Sequence, residues 1–293
     1  MYKALDAYNP ISIAVYFLAV AAIVMLCANP IMLCMALCGA AAQALLRRDV
    51  KHARQHLLYW GIFAATALLN PLFSHNGATV LIVIGNAPIS LESLLWGVSS
   101  ACAILSVLYL FATFSAIMQS DKLLYLFGKL SPRISLILSM ALRYVSLLRT
   151  QAQKIRQTQT ALGLYKQENV IDRVRGGLRI FWILVGWALE NGIVTAGSMA
   201  ARGYGTGKRT HFSRFTFSRR DALLIGSTVA LLAGTAVPFA LGALDFTFYP
   251  TLQLAHAGAM TYLGYACFGA MVALPILIET EDAVKWKYLQ SKI

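Results

Sequence analysis

Long apolar runs separated by short polar breaks fill the first 118 residues of the chain. A basic, mixed stretch follows over 119–221, and apolar runs return over 222–280. Crossing hydrocarbon as a helix takes roughly 20 apolar residues. The runs at 11–28, 30–46, 57–73, 91–118, 222–242 and 258–278 come close to that length, predicting about six membrane-crossing helices. Only Asn29-Pro30, a turn signal, separates the first two, which predicts a tight helical hairpin. Between the third and fourth runs, Asn70-Pro71-Leu72-Phe73-Ser74-His75-Asn76-Gly77 is dense in turn formers. The β-branched segment Thr79-Val80-Leu81-Ile82-Val83-Ile84 and then Gly85-Asn86-Ala87-Pro88 come next. Two short extended runs about a turn fit a small β-hairpin at the outer surface, with His75 an ordinary loop residue.

The middle stretch reads as long helices of another kind. Residues 133–163 form one predicted helix, opened by Ser131-Pro132 and stopped by Gly163. At the standard rise its ~30 residues extend about 45 Å. Its first half, through Leu148, is apolar around most of its circumference. In its second half Leu148, Ala152, Ile155 and Leu162 form a narrow seam among Arg and Gln residues. A second helix is expected over 170–185, its apolar centre about half of what spanning requires, so that it lies in the membrane interface or on neighbours. A third, over 187–202, is rich in small residues that permit close crossing and ends at Gly203-Tyr204-Gly205.

Composition and charge turn these elements into a topology. With 58% hydrophobic and 13% charged residues, the chain is too apolar for an ordinary soluble domain. Lys and Arg are confined to the N-terminus, residues 47–54, residues 119–221 and the C-terminal tail. The third of these holds 17 cations against five carboxylates, whereas 28–30, 70–91 and 243–257 hold no Lys or Arg. Because cations accumulate in cytoplasmic loops, both termini are expected inside. The expected class is an all-α integral membrane protein in four parts. These are an N-terminal transmembrane region (1–118), a cytosolic helical domain (119–221), a C-terminal transmembrane region (222–280) and a cytosolic tail (281–293). Residues 1–9 carry no cationic signal-peptide start, so the first apolar run reads as a retained span. The net charge of +13 does not point to nucleic acid. Anionic headgroups and an acidic protein partner explain it at the edge of a bilayer.

The chemistry of an enzyme is missing from the pattern. The predicted spans carry almost no ionisable side chains, which argues against an ion-coupled carrier. Glu92 begins the fourth span, where a carboxylate suits a helix N-terminus. His52 and His56 share a helix face without the glutamate of a zinc motif, and read as facing cytosolic headgroups. All five cysteines (27, 34, 38, 102 and 267) fall inside predicted spans, so no disulfide framework is expected. Cys34 and Cys38 are one turn apart, a spacing that suits packing better than a metal. Gly207-Lys208-Arg209-Thr210 fails as a phosphate loop, since Arg209 stands at its Ser/Thr position and Arg202 at its first glycine. No catalytic, cofactor-binding or metal-binding residue is expected. The chain reads as a scaffold, with a conventional permease or a self-contained secondary transporter as the alternatives.

Two predicted helices end on related sequences, Gln159-Thr160-Ala161-Leu162-Gly163 and Met199-Ala200-Ala201-Arg202-Gly203. The helix dipole favours arginine at such an end. The same charged tip would suit an acidic groove on a partner.

Four segments carry a family resemblance by their order. They are Asn70-Pro71-Leu72-Phe73 through Gly77, Leu91-Glu92-Ser93-Leu94, Ser139-Met140-Ala141-Leu142-Arg143-Tyr144 and Ala201-Arg202-Gly203-Tyr204-Gly205. Joined to the charge topology, they resemble the transmembrane T component of energy-coupling factor (ECF) transporters, the family that includes CbiQ-like proteins, over nearly the whole chain. In that family two coupling helices end in Ala-Arg-Gly and dock into grooves on two ATP-binding cassette ATPase subunits. The resemblance places Ala201, Arg202 and Gly203 in the second coupling tip. It places Ala161, Leu162 and Gly163 in the first, with Leu162 where the family has arginine. Arg143, Asn70, Pro71 and Gly77 match further family positions, while Ser146 replaces a proline that commonly follows the Arg-aromatic pair. A small membrane-embedded S component that binds a vitamin or metal ion is implied as a further partner. So is residence in a bacterial or archaeal cell membrane.

Overall fold

The computed structural model of the chain describes residues 4–47, 53–73, 77, 79–84, 87–164, 170–207, 215–249, 252–254 and 258–290. Among these, nine α-helices account for most of the chain, with two small two-stranded antiparallel sheets. The fold is all-α, as expected. The helices cluster into two compact units, Met1–Leu123 with Phe215–Ile293, and Leu124–Arg214.

In the first unit, Asn9 caps α1 (Pro10–Leu26) by accepting a hydrogen bond from the Ile11 amide, with Pro10 in the first turn. Asn29 opens α2 (Pro30–Arg47) in the same way, accepting from the Ile31 amide at 3.0 Å. Its Nδ2 donates to the Leu244 carbonyl at 3.1 Å and to the Tyr265 hydroxyl at 2.7 Å, so a fully buried amide is satisfied. The tight α1–α2 hairpin expected from Asn29-Pro30 does not form. Instead α1 packs on α4 and α8, and α2 packs on α4 and α9. Glycines favour the choice: Gly39 of α2 leaves no room for a Cβ against Val272 of α9, and Gly269 of α9 packs against the end of the Met35 side chain. Such contacts let backbones approach closely in a setting where water supplies no hydrophobic drive.

Pairing of α3 (Ala53–Phe73) with α4 (Leu91–Ile117) follows the same rule, since a Cβ on Gly97 would meet the Ala67 carbonyl and Asn70. The predicted hairpin is present, with β1 (Val80–Ile84) antiparallel to β2 (Ala87–Ser90). After α8 (Arg219–Ala240) come the two-residue strands β3 (Phe246–Thr247) and β4 (Gln253–Leu254), and then α9 (Ala259–Gln290). The tail expected from residue 281 is therefore helical through Gln290.

The second unit holds most of α5 (Ser120–Leu130), which the hydropathy pattern did not single out, then α6 (Pro132–Ala161) and α7 (Val170–Ala201). The two separate helices expected over 170–185 and 187–202 are one. Gly186 lies between them and Gly192 within the second, but each interior glycine costs only about 1 kcal/mol against alanine, too little to break a helix of this length. The fusion changes the list of spans. Among the described residues six helices are long and apolar enough to cross a membrane: Pro30–Arg47, Arg54–Phe73, Leu91–Ile117, Val170–Ala201, Arg219–Ala240 and Ala259–Gln290. The number agrees with the sequence, but α7 joins the set and α1, at 17 residues, is a shorter apolar helix. Within its own unit α7 is hardly covered, with only Gly176 buried and Phe181, Trp182, Ile193 and Val194 exposed.

Candidate functional site: the ends of two long helices

Helices α6 and α7 end in the same backbone motif. At α6 the Gly163 amide donates to the Thr160 carbonyl (3.0 Å) and the Leu164 amide to the Gln159 carbonyl (2.9 Å). At α7 the Gly203 amide donates to Ala200 (3.0 Å) and the Tyr204 amide to Met199 (3.0 Å). Both are Schellman ends, which need a residue in the left-handed region after the last helical one. Gly163 and Gly203 supply it with φ of +67° and +76°. Leu162 and Arg202 are the capping residues, each just ahead of that glycine. Leu162 is 66% exposed, Arg202 is exposed, and the Arg202 side chain makes no hydrogen bond or ion pair among the described residues.

A third Schellman end at α8 shows what is particular to these two. There the Gly242 amide donates to Phe239 and the Ala243 amide to Pro238, and Gly242 has φ of +71°. That end is folded inward, with Ala243 and Leu244 buried. The α6 and α7 ends instead present their caps and the residues beyond to the outside.

Side chains tie α6 and α7 side by side. The Tyr144 hydroxyl lies 3.2 Å from Thr195 Oγ1, and the Arg179 guanidinium donates to Gln159 Oε1 (3.4 Å) and to the Leu164 carbonyl (3.5 Å). Fifteen residues back along α6 thus correspond to sixteen forward along α7, so the helices are antiparallel. Their C-terminal tips face opposite ways, roughly 35 Å apart along the pair at 1.5 Å per residue. Arg143, matched by the resemblance, is exposed on α6. Its side chain makes no bond among the described residues, and its carbonyl accepts from Ser146 Oγ at 2.9 Å.

The other matched positions converge where α3 meets α4. Asn70 Nδ2 donates to Ser100 Oγ at 3.3 Å, and Pro71 is buried beside Gly97. Glu92, 2% exposed in the first turn of α4, accepts from the Thr79 amide (3.3 Å) and hydroxyl (2.9 Å). Gly77 sits so close to Ser90 and Glu92 that a side chain would collide with both. The helix dipole favours a carboxylate at this place, and the Thr79 amide and hydroxyl satisfy its oxygens. Asn70 and Pro71 thus pack the end of α3 on α4 and Gly77 packs on the start of α4, while the helix tips are exposed.

Other polar groups took places that sequence reading did not foresee. Arg47, counted with the basic loop residues, is buried at the end of α2 and pairs with Asp6 (3.0 Å) and Glu279. Lys122 is buried beside it, its ammonium without a hydrogen-bond partner among the described residues. Burial holds its pKa below the usual lysine value, opposed by Asp6 and aided by Arg47. His56 is half-buried and lies 3.0 Å from the Tyr109 hydroxyl of α4. No spacing rule couples residues 6, 47, 122 and 279. The one available signal was the unusual presence of Glu279 at the end of an apolar run. Among the described residues no group of three or more His, Cys, Asp or Glu side chains is arranged for a metal. His52, His75, His256 and the 208–210 segment lie outside the described residues.

Six helices of spanning length among the described residues define a multi-pass integral membrane protein. Residues 7–212 match the family CbiQ, "Cobalt transport protein", and the chain belongs to that family. Over 112 residues it is 33% identical to the energy-coupling factor transporter transmembrane protein EcfT of Streptococcus thermophilus. That match covers 38% of this chain and 42% of the relative, so it spans about two-fifths of the relative's length.

Proposed function

We propose that the chain is the transmembrane scaffold of an ECF transporter, coupling ATP binding and hydrolysis by two partner ATPase subunits to reorientation of a small S component that takes up a vitamin or metal ion. The observation that carries this reading is the pair of exposed Schellman ends, identical in backbone and facing opposite ways on one antiparallel pair. A pair of separated tips suits two separate grooves, one on each ATPase. Residues 119–221 form the cytosolic coupling segment in this reading, and both termini share that side. The apolar face of α7, uncovered within its own unit, is where the S component and lipid pack.

Each tip has its own chemistry. Arg202 enters an acidic groove, and a charge-assisted hydrogen bond desolvated there contributes roughly 1.5–3 kcal/mol. Leu162 enters a groove that is partly apolar, where burying it contributes about 1.5–3 kcal/mol. The two ATPase contacts are then inequivalent. When nucleotide binding closes the ATPase pair, both tips are displaced, and helices of ~30 residues carry the displacement without bending at a loop. The chain itself has no catalytic role, and nucleotide hydrolysis stays with the partners.

Uptake measurements on the whole transporter test this. Arg202→Glu is expected to abolish uptake at unchanged expression, and a lysine introduced into the facing ATPase groove to restore part of it. Unaltered uptake in Arg202→Glu would sink the coupling role. A conventional permease or secondary carrier would hold its substrate unaided, so substrate binding by the chain without an S component counts against the proposal.

A further inference from the structure

A cleft of about 610 Å³ opens within the first unit, between the segment ahead of α1 (Ala4, Ala7 and Tyr8), the start of α8 and the far end of α9. Its α9 wall is one helical stripe, Leu274, Ile278, Glu281, Asp282 and Lys285, which changes from apolar to charged within one turn. Its α8 wall makes the same change in mirror order, with Arg220 followed by Leu223 and Leu224. Both walls therefore change character at one level, the boundary between hydrocarbon and water for two spanning helices. A cleft of this size suits a small molecule or headgroup.

Most polar groups around the cleft are already engaged. Asp221, 3% exposed, accepts from the Asn9 amide (2.7 Å), Ser12 Oγ (3.3 Å) and the Ser218 amide (2.9 Å). Glu281 is paired with Lys285. Arg220 and Asp282 are different: neither makes a hydrogen bond or ion pair among the described residues. Arg220 does stand near the Tyr8 hydroxyl, whose pKa burial raises and the guanidinium lowers. One cation, near Glu281 as well, and one carboxylate thus line the cleft without a hydrogen bond or ion pair among the described residues, beside apolar side chains.

We propose that this cleft binds the headgroup of a zwitterionic aminophospholipid, its phosphate on Arg220 and its ammonium on Asp282, with the acyl chains along Leu223, Leu274 and Ile278. Guanidinium groups bind phosphate through paired N–H donors, and a primary ammonium can donate to a carboxylate where a quaternary one cannot. Phosphatidylethanolamine should therefore be favoured over both phosphatidylcholine and phosphatidylglycerol. The inference needs only that the chain spans the membrane, and it stands apart from the coupling role.

The test places the full chain, with any subunits that co-purify, in nanodiscs of equal parts phosphatidylethanolamine, phosphatidylglycerol and phosphatidylcholine. Native mass spectrometry then counts the retained lipids. Enrichment of phosphatidylethanolamine is expected, falling about tenfold in Arg220→Gln, as loss of one charge-assisted contact implies. Asp282→Asn should erase the preference over phosphatidylglycerol while lipid is still retained. Leu223→Trp, which fills the cleft and leaves the charges alone, should also displace the lipid. Retention in bulk proportions, enrichment of phosphatidylglycerol by the wild-type chain, or indifference to all three substitutions would overturn the site.

Discussion

Leu162 and Arg202 occupy the same position of the same helix-terminal motif, each one residue ahead of a left-handed glycine and each exposed. The backbone treats them alike, so whatever distinguishes the two ends lies in the side chains. If the ends dock on separate partners, exchanging the side chains tests the partners rather than the fold. Leu162→Arg is expected to assemble with the ATPase subunits and to support uptake. Arg202→Leu should weaken ATPase association roughly ten- to hundredfold, the equivalent of about 1.5–3 kcal/mol. Affinity measured with purified ATPase decides both, and failure of Leu162→Arg to assemble would contradict the placing of Leu162 where the family has arginine.

Gly203 and Gly242 close the same motif in different surroundings, one outside and one against a buried segment. An alanine forced to the left-handed region costs roughly 1–2 kcal/mol in either place. For Gly203→Ala the cost should fray only the end of α7, seen as faster amide exchange over residues 200–204 with an unchanged melting temperature. For Gly242→Ala, where Asp245 and the buried Ala243-Leu244 segment depend on the turn, the melting temperature itself should fall. Equal melting temperatures in the two variants would contradict the distinction.

Arg47 joins the start of the chain to α9 through Asp6 and Glu279, with its side chain fully buried. Removing one partner from a buried ion pair typically costs 3–5 kcal/mol, because the remaining charge is left unpaired. Because the Asp6 side chain is 38% exposed, Arg47→Ala should lower stability toward the low end of that range, about 3 kcal/mol. Exposed cations such as Arg149 should change it little. Thermal unfolding in detergent compares them.

Lys122 provides a pH dependence. Its folded pKa lies below the usual 10.5, because burial disfavours the charged form. Between the folded and unfolded values the unfolded chain binds more protons, so stability should rise with pH in that window and stay level below it. The increment should disappear in Lys122→Met, which should also be more stable than the wild type at neutral pH. A decline in wild-type stability between pH 8 and 10 that Lys122→Met removes would contradict the assigned burial.

What could be read from the sequence was what depends on local pattern. Ser131-Pro132 and Gly163 bound α6 correctly because an N-terminal proline and a left-handed glycine are local requirements. The β-hairpin at 80–90 followed from β-branched residues flanking Gly85-Asn86. Tertiary choices could not be read this way. Asn29-Pro30 signals a turn, but only the fit of Gly39 to Val272 sends α2 toward α9 rather than back along α1. The continuity of α7 was hidden because small residues at 186–197 read as a separate segment, although nothing there terminates a helix. At the tips the residues were visible and their equivalence was not, since a shared capping geometry appears only in backbone hydrogen bonds.

Crosslinking from the two tips, in membranes holding the assembled transporter, weighs the coupling role by itself. Leu162→Cys and Arg202→Cys chains would each be treated with a short thiol reagent against ATPase subunits carrying single cysteines in their grooves. Each position is expected to link to an ATPase subunit, with both links forming in the doubly substituted chain. Labelling of position 202 from the extracellular side, or no link from either tip, would contradict it.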